Sequence, residues 1–271
     1  MPSYGLLTNP SNEILSEISK IYDLNFEYVE LGIEGPEGNP QIINKKKNEI
    51  VRLLQKFKHK PIGHTAYWID LCSDYDYIRH AWILEAMREI RTVKKVGIDL
   101  INFHSNLNGM FYGEKRKILL DNMIRSLREI GRYSEKHRVH MMLENVPYSN
   151  GIHDMIEFKY IIDNVPSLLV HLDIPHAFTS GGMKSVLDYI NTFGDKIVHV
   201  HWHDNHGRKD EHLPIGEGLI DHEKTVRALK NIEYDRTITL EVFTSSNDAK
   251  TSTDKLKIMW TNDSTTEPRH V

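Results

Sequence analysis

The sequence predicts a single (β/α)8 barrel, in which eight parallel strands alternate with helices around one closed cylinder. Eight short apolar or β-branched runs alternate with longer segments of helical period, a pattern typical of repeated βα units. The chain has 271 residues, and barrels of this kind commonly occupy about 250. Because no Pro-, Gly- or Ser-rich linker divides the chain, we interpret residues 1–260 as one domain.

The predicted strands are spaced like successive βα units. They cover residues 4–8, 26–33, 61–65, 98–104, 139–145, 168–174, 197–201 and 237–243. The helix predicted over residues 114–137 has an apolar face with spacings of four and three, formed by Leu119, Met123, Leu127 and Ile130. Residues 261–271 are polar and lack any apolar period, so we expect this tail to fray.

Composition excludes several classes of protein. No run approaches about 18 uninterrupted apolar residues, so we expect no membrane span. The first residues do not read as a secretory signal, which makes a cytoplasmic location the default. Cys72 is the only cysteine, so any bound metal must be held by His, Asp or Glu. The net charge of -4 neither favours nor excludes nucleic acid, and no feature indicates an obligate protein partner.

Potential metal ligands stand near the C-terminal ends of seven predicted strands. They are Glu30, His64, His104, Glu144, Asp173, His201 and Glu241. Three loop residues extend the set: His176, Asp210 and His212. Each has an ordinary structural explanation alone, but all these strand ends open on one face of a parallel barrel. Imidazole and carboxylate together suit Zn, Mn or Fe, and carboxylates can bridge two ions. The sequence therefore predicts a polynuclear metal site at that face.

Two local patterns leave alternatives open. His199, His201 and His203 alternate along one strand and so point the same way, which leaves the choice of ligand undecided. Gly216 and Gly218 form a GxG pair that favours either a phosphate-binding turn or a close approach to the eighth βα unit.

Several segments resemble the family-2 AP endonucleases, the endonuclease IV group of the xylose isomerase-like TIM barrels. They include GHTAYWIDL (63–71), LENVP (143–147), VHLDIPHAF (170–178), HWHDN (201–205) and DEHLPIGEG (210–218). The resemblance covers most of the chain from the third strand onward. It implies three zinc ions, and it favours His201 among the three alternating histidines.

The ligand sets follow from that resemblance. The first ion is implied at His64, His104 and Glu144, the second at Glu144, Asp173, His201 and Glu241, and the third at His176, Asp210 and His212. Tyr67 matches a tyrosine that lies against DNA near the lesion in that family. The chain departs from the family at residues 146–151, VPYSNG, where the endonucleases have a Gly-rich stretch. Residues 27–38 resemble the sugar isomerase and epimerase branch instead, and the groove-entering loop has no match.

Two mechanisms suit one such site. With three ions, a metal-activated water would cut an abasic site in duplex DNA; with one ion, Glu144 and Glu241 would exchange a proton on a small sugar or sugar phosphate. Mn, Mg or Co would replace Zn in the second case. The predicted catalytic residues are Glu144, Asp173 and Glu241, and the predicted substrate contacts are Glu30, Tyr67, Trp68, Trp202 and Arg208. We favour the hydrolase, because an isomerase does not need nine ligands. A complete ligand set disfavours a mere binding protein.

Overall fold

Eight parallel strands form one closed barrel in the computed structural model, which describes residues 1–107, 112–147, 152 and 155–262. The strands are β1 (Ser3–Leu7), β2 (Tyr28–Ile33), β3 (Ile62–Thr65), β4 (Leu100–His104), β5 (His140–Glu144), β6 (Leu168–Asp173), β7 (Ile197–Trp202) and β8 (Thr237–Leu240). Neighbours in sequence are neighbours in the sheet, and β8 pairs with β1 to close it. The predicted (β/α)8 barrel is confirmed, and each predicted strand ends within three residues of an observed one.

Helices connect the strands and pack around the barrel. They are α1 (Ile14–Asp23), α2 (Pro40–Lys45), α3 (Lys47–Leu54), α4 (Asp76–Lys95), α5 (Gly113–His137), α6 (Met155–Asn164), α7 (Ile174–Phe193), α8 (His222–Asn231) and α9 (Ser246–Thr261). The apolar face predicted for α5 is buried, as its period requires. Within the described ranges, none of these helices has the length and hydropathy to cross a bilayer. Residues 263–271 of the predicted tail lie outside the described residues.

The barrel interior has an apolar base and a polar top. Tyr28, Ile62 and Met142 belong to a small apolar cluster that is separate from the main core between strands and helices. Each lies two residues before a polar site residue, so strand alternation places both on the same inward face. Register brings the polar residues to one level, because His104 pairs with Glu144 and Asp173 pairs with His201 across neighbouring strands.

One buried carboxyl lies in α4, outside the barrel mouth. Glu89 is only 3% exposed, and its Oε2 has no hydrogen-bond partner. It lines a side cavity of about 680 Å³ between α4 and the loops that follow β2 and β3. Burial raises the pKa of Glu89 well above its ordinary value, and the neighbouring Glu85 carboxylate adds to this rise. The folded chain therefore keeps the Glu89 proton to a higher pH than the unfolded chain does.

Glu89 is expected to make the protein lose stability as pH rises. The unfolded chain releases this proton near pH 4.3 and the folded chain only at a higher pH, so unfolding becomes easier between the two values. In urea titrations of the metal-free protein, Glu89→Gln should lose less unfolding free energy than the wild type between pH 5 and pH 8. The exposed Glu49 of α3 offers a control, Glu49→Gln. Equal pH slopes for wild type and Glu89→Gln would refute this expectation.

Candidate functional site

Glu144, at the end of β5, lies at the centre of the polar cluster and is 1% exposed. Its Oε2 is 3.3 Å from His104 Nε2 and 3.6 Å from His64 Nε2. Asn102 Nδ2 donates a hydrogen bond of 2.6 Å to the same oxygen and so fixes the carboxylate. The other oxygen, Oε1, lies 4.0 Å from His201 Nδ1. Glu144 therefore faces two groups of ligand atoms, one through each oxygen.

His201 Nδ1 is surrounded by three carboxylates. It lies 3.2 Å from Glu241 Oε1 and 3.8 Å from Asp173 Oδ2, in addition to Glu144. His201 Nδ1 and Asp173 Oδ2 are both buried and neither has a hydrogen-bond partner. Buried polar atoms are almost always paired, so unpaired atoms that face one another indicate a missing partner between them. A divalent cation fits this set of nitrogen and oxygen atoms.

A third group of ligand atoms surrounds Asp210, in the loop between β7 and α8. Asp210 Oδ2 lies 3.1 Å from His176 Nε2 and 3.0 Å from His212 Nε2. His203 Nε2 lies 3.1 Å from the other oxygen, Oδ1. The structure thus brings all nine predicted ligands into one continuous cluster at the C-terminal ends of the strands, and it adds His203, which the sequence left open as an alternative to His201.

Burial dominates the electrostatics of the cluster. It raises the pKa of Asp173 to about 8, with a smaller contribution from the Glu144 carboxylate, against the opposing effect of His176. Burial also lowers the pKa of His104 to about 4, so this imidazole is neutral at pH 7 and available as a ligand. Burial alone would raise the pKa of Glu241, but His201 and other imidazoles outweigh it and lower the pKa to about 2.

Glu30 was predicted as a substrate contact, but the structure places it below the mouth, behind His201. Its side chain is fully buried inside the barrel, and its Oε2 accepts hydrogen bonds from His199 Nε2 at 2.9 Å and His201 Nε2 at 3.0 Å. The bond to His201 leaves Nδ1 of that ring facing the carboxylates, an arrangement common behind metal-binding histidines. His199 contacts Glu30 and Thr237 instead. His201 Nδ1 lies within 4 Å of both Asp173 and Glu241. His203 has a ligand atom within 4.8 Å of the ligand atoms of the same two carboxylates.

The remaining predicted substrate contacts lie in different places. Tyr67 is 61% exposed and lines the mouth cavity of about 330 Å³ together with His64, His212 and Phe243. Trp68 packs edge-on against Tyr67, with ring centroids 5.1 Å apart, and lines the side cavity. Arg208 is exposed on the loop after β7 and does not line the mouth cavity.

Trp202 was predicted to line the pocket, but the structure places it in the main core between strands and helices. Strand alternation directs it away from the barrel interior that His201 faces. Its indole is fully buried, and Nε1 donates a hydrogen bond of 3.0 Å to His222 Nδ1.

Asp204 holds the loop that carries Asp210 and His212, a role that the sequence did not reveal. Its Oδ2 accepts hydrogen bonds of 2.9 Å each from the backbone N–H groups of Gly216 and Gly218 and from His222 Nε2. A Cβ at Gly218 would lie 2.3 Å from Asp204 Oδ1, which explains the glycine there. The GxG pair therefore encloses a carboxylate of its own chain, in the loop after β7.

A closed parallel barrel with imidazoles and carboxylates gathered at the C-terminal ends of its strands has the architecture of a metal-dependent barrel enzyme. A family model described as a xylose isomerase-like TIM barrel matches residues 18–261, and the chain belongs to this family. The motif resemblance to the endonuclease IV group within these barrels is thereby confirmed.

The chain is similar to three proteins whose names differ. An uncharacterized protein of Methanocaldococcus jannaschii is 31% identical over 84% of this chain and 86% of its own length. A probable endonuclease 4 of Aquifex aeolicus is 25% identical over 88% of this chain and 90% of its own. The crystal structure of a D-tagatose 3-epimerase-like protein superimposes with a TM-score of 0.84 and 25% identity, covering 95% of this chain and 96% of that one.

Proposed function

We propose that this protein is a divalent-metal-dependent phosphodiester hydrolase that cuts duplex DNA at abasic sites, with zinc as its metal. The supporting observation is the number of ligand atoms that converge. One zinc ion takes about four ligands, whereas nine predicted ligands form three groups that share carboxylates. The similarity to a probable endonuclease 4 supports the same reaction.

Different residues would have different roles in this hydrolysis. Bound divalent ions would activate a water for attack on phosphorus and neutralise charge on the departing oxygen. Glu144 faces two ligand groups and would keep them at a fixed separation. Asp173 and Glu241 flank His201 and would complete the central group. The exposed rings of Tyr67 and Phe243 at the mouth offer stacking surfaces to a base or sugar.

A second candidate function is the epimerisation or isomerisation of a small sugar or sugar phosphate. Glu144 Oε1 and Glu241 Oε1 lie 4.0 Å and 3.2 Å from the same nitrogen, His201 Nδ1, so both carboxylates border one position. Such a pair suits proton removal and return at a carbon atom. The mouth cavity of about 330 Å³ has the size of a small-molecule site. The likeness to a D-tagatose 3-epimerase-like protein supports this alternative, for which Mn, Mg or Co would serve.

Metal stoichiometry and two activity assays separate the candidates. After metal loading and removal of free ions, elemental analysis should give about three ions per chain for the hydrolase and one for the epimerase. Nicking of an abasic duplex, compared with an intact duplex, tests the first reaction, and interconversion of ketoses tests the second.

His104→Ala is the sharpest variant for this choice. His104 belongs to the group of His64 and Glu144, not to the set of ligands around His201. Its removal should therefore abolish nicking and leave most sugar interconversion intact. His140, exposed at the opposite end of the barrel, offers the control His140→Ala. Three ions without nicking would contradict the hydrolase, and nicking that survives His104→Ala would contradict the role given to His104.

A further inference from the structure

Three histidines around Asp210 are held in the same orientation. In each of them Nδ1 donates a hydrogen bond to a backbone carbonyl oxygen, which can only accept. The pairs are His176 with Asn145 at 2.9 Å, His212 with Glu241 at 2.9 Å and His203 with Asp204 at 3.1 Å. With the hydrogen fixed on Nδ1, the Nε2 atom of each neutral ring carries a bare lone pair.

All three Nε2 atoms face the carboxylate of Asp210. His176 and His212 approach one oxygen, and His203 approaches the other at 3.1 Å. His203 Nε2 and Asp210 Oδ1 are buried and form no hydrogen bond, although their separation would allow one. A protonated His176 can donate to Asp210 Oδ2, at 3.1 Å, but this leaves His203 Nε2 and Asp210 Oδ1 without a partner. A neutral His203 ring turns a lone pair toward that oxygen, and a divalent cation between the two atoms removes this conflict.

We propose that His203 is a fourth protein ligand of the ion beside Asp210. This inference rests on the proposed function, because it assumes that the third ion binds. His203 is fully buried, its ring lies 4.2 Å from that of His212, and its ligand atom lies within reach of those of His176 and Glu241. Three imidazoles and one carboxylate form a donor set that suits zinc.

The fourth ligand changes what this ion can do. Catalytic zinc sites have three protein ligands and one open position, whereas structural sites have four protein ligands. With His203 in place, the ion would join α7, through His176, to the loop between β7 and α8, and it would offer no ready position to substrate. Binding and activation of the phosphodiester would then depend chiefly on the group of His64, His104 and Glu144, which has three protein ligands.

The test compares zinc retention in His203→Ala and in a matched control. His206, on the same loop, is exposed, and among the described residues its side chain pairs with Glu211 alone, so His206→Ala should bind zinc as the wild type does. Competition with a colorimetric zinc chelator should show one of three ions held at least about 10–100-fold more weakly in His203→Ala. His203→Phe keeps the ring without its nitrogens and should show the same loss. Far-UV circular dichroism verifies folding.

The outcomes separate this inference from the proposed function. If the wild type holds three ions and both His203 variants hold them equally tightly, His203 is not a ligand, while the hydrolase proposal stands. If the wild type holds only one ion, both proposals are wrong. Cobalt substitution gives a second reading, because a four-coordinate site absorbs visible light more strongly than a site that gains water. The Asp210 site should lose this absorption in His203→Phe.

Discussion

Replacing Glu144 with Gln is expected to lower activity on the order of 10³-fold or more, whichever of the two reactions the protein catalyses, as is typical when one member of a cooperating set is lost. Gln has nearly the same shape, so the packing around Asn102 and His104 should survive. The negative charge is lost, however, and with it the carboxylate that faces two groups of ligand atoms. Bound metal should fall together with activity.

Elemental analysis and kcat/KM, measured on the same preparation of Glu144→Gln, test this expectation. Glu135, exposed near the end of α5, provides the control Glu135→Gln, which should retain both metal and activity. A Glu144→Gln protein that keeps its full metal content and more than a tenth of its activity would show that Glu144 is not a ligand.

The sequence was informative about Glu144 because the barrel itself places it. Strand ends in a parallel barrel share one face, so the positions of His64, His104 and Glu144 along the chain were enough to predict their meeting. The observed register, which pairs His104 with Glu144, agrees with that rule. No long-range information beyond the fold class was needed.

Glu30 and Trp202 show where such reasoning fails for different reasons. Glu30 meets His201 across the barrel interior, 171 residues along the chain, and no local pattern encodes that contact. Trp202 is different, because strand alternation alone places it on the face opposite His201. The prediction placed Trp202 in the pocket because it is next to His201 in the sequence, but the two side chains lie on opposite faces of β7.

Asp204 could not be placed from the sequence, because it follows the end of β7 at Trp202. Beyond that point strand alternation no longer applies, and the path of the loop decides where side chains point. Here the path is set by hydrogen bonds between Asp204 and the GxG pair, twelve and fourteen residues later. Loop residues that bind their own backbone leave little periodic signal.

Asp204→Ala is expected to lower the free energy of unfolding by about 3–5 kcal/mol, because it leaves several buried donors without their acceptor and each unsatisfied donor costs about 1–3 kcal/mol. The carboxylate of Asp204 is fully buried and accepts five hydrogen bonds. Four come from backbone N–H groups and one from His222. Alanine would leave these donors unpaired in the interior, at a cost that the surrounding loop can reduce only by opening to water.

Urea unfolding of the metal-free protein measures this loss, and Asp221→Ala gives a scale for it. Asp221 is an exposed cap of α8 that accepts one hydrogen bond, from the backbone of Lys224, so its removal should cost only about 1 kcal/mol. Asp204→Asn keeps one acceptor oxygen and should lie between the two. If Asp204→Ala were no less stable than Asp221→Ala, Asp204 would not hold the loop. The positions of the ligands Asp210 and His212 would then depend on bound metal rather than on hydrogen bonds to Asp204.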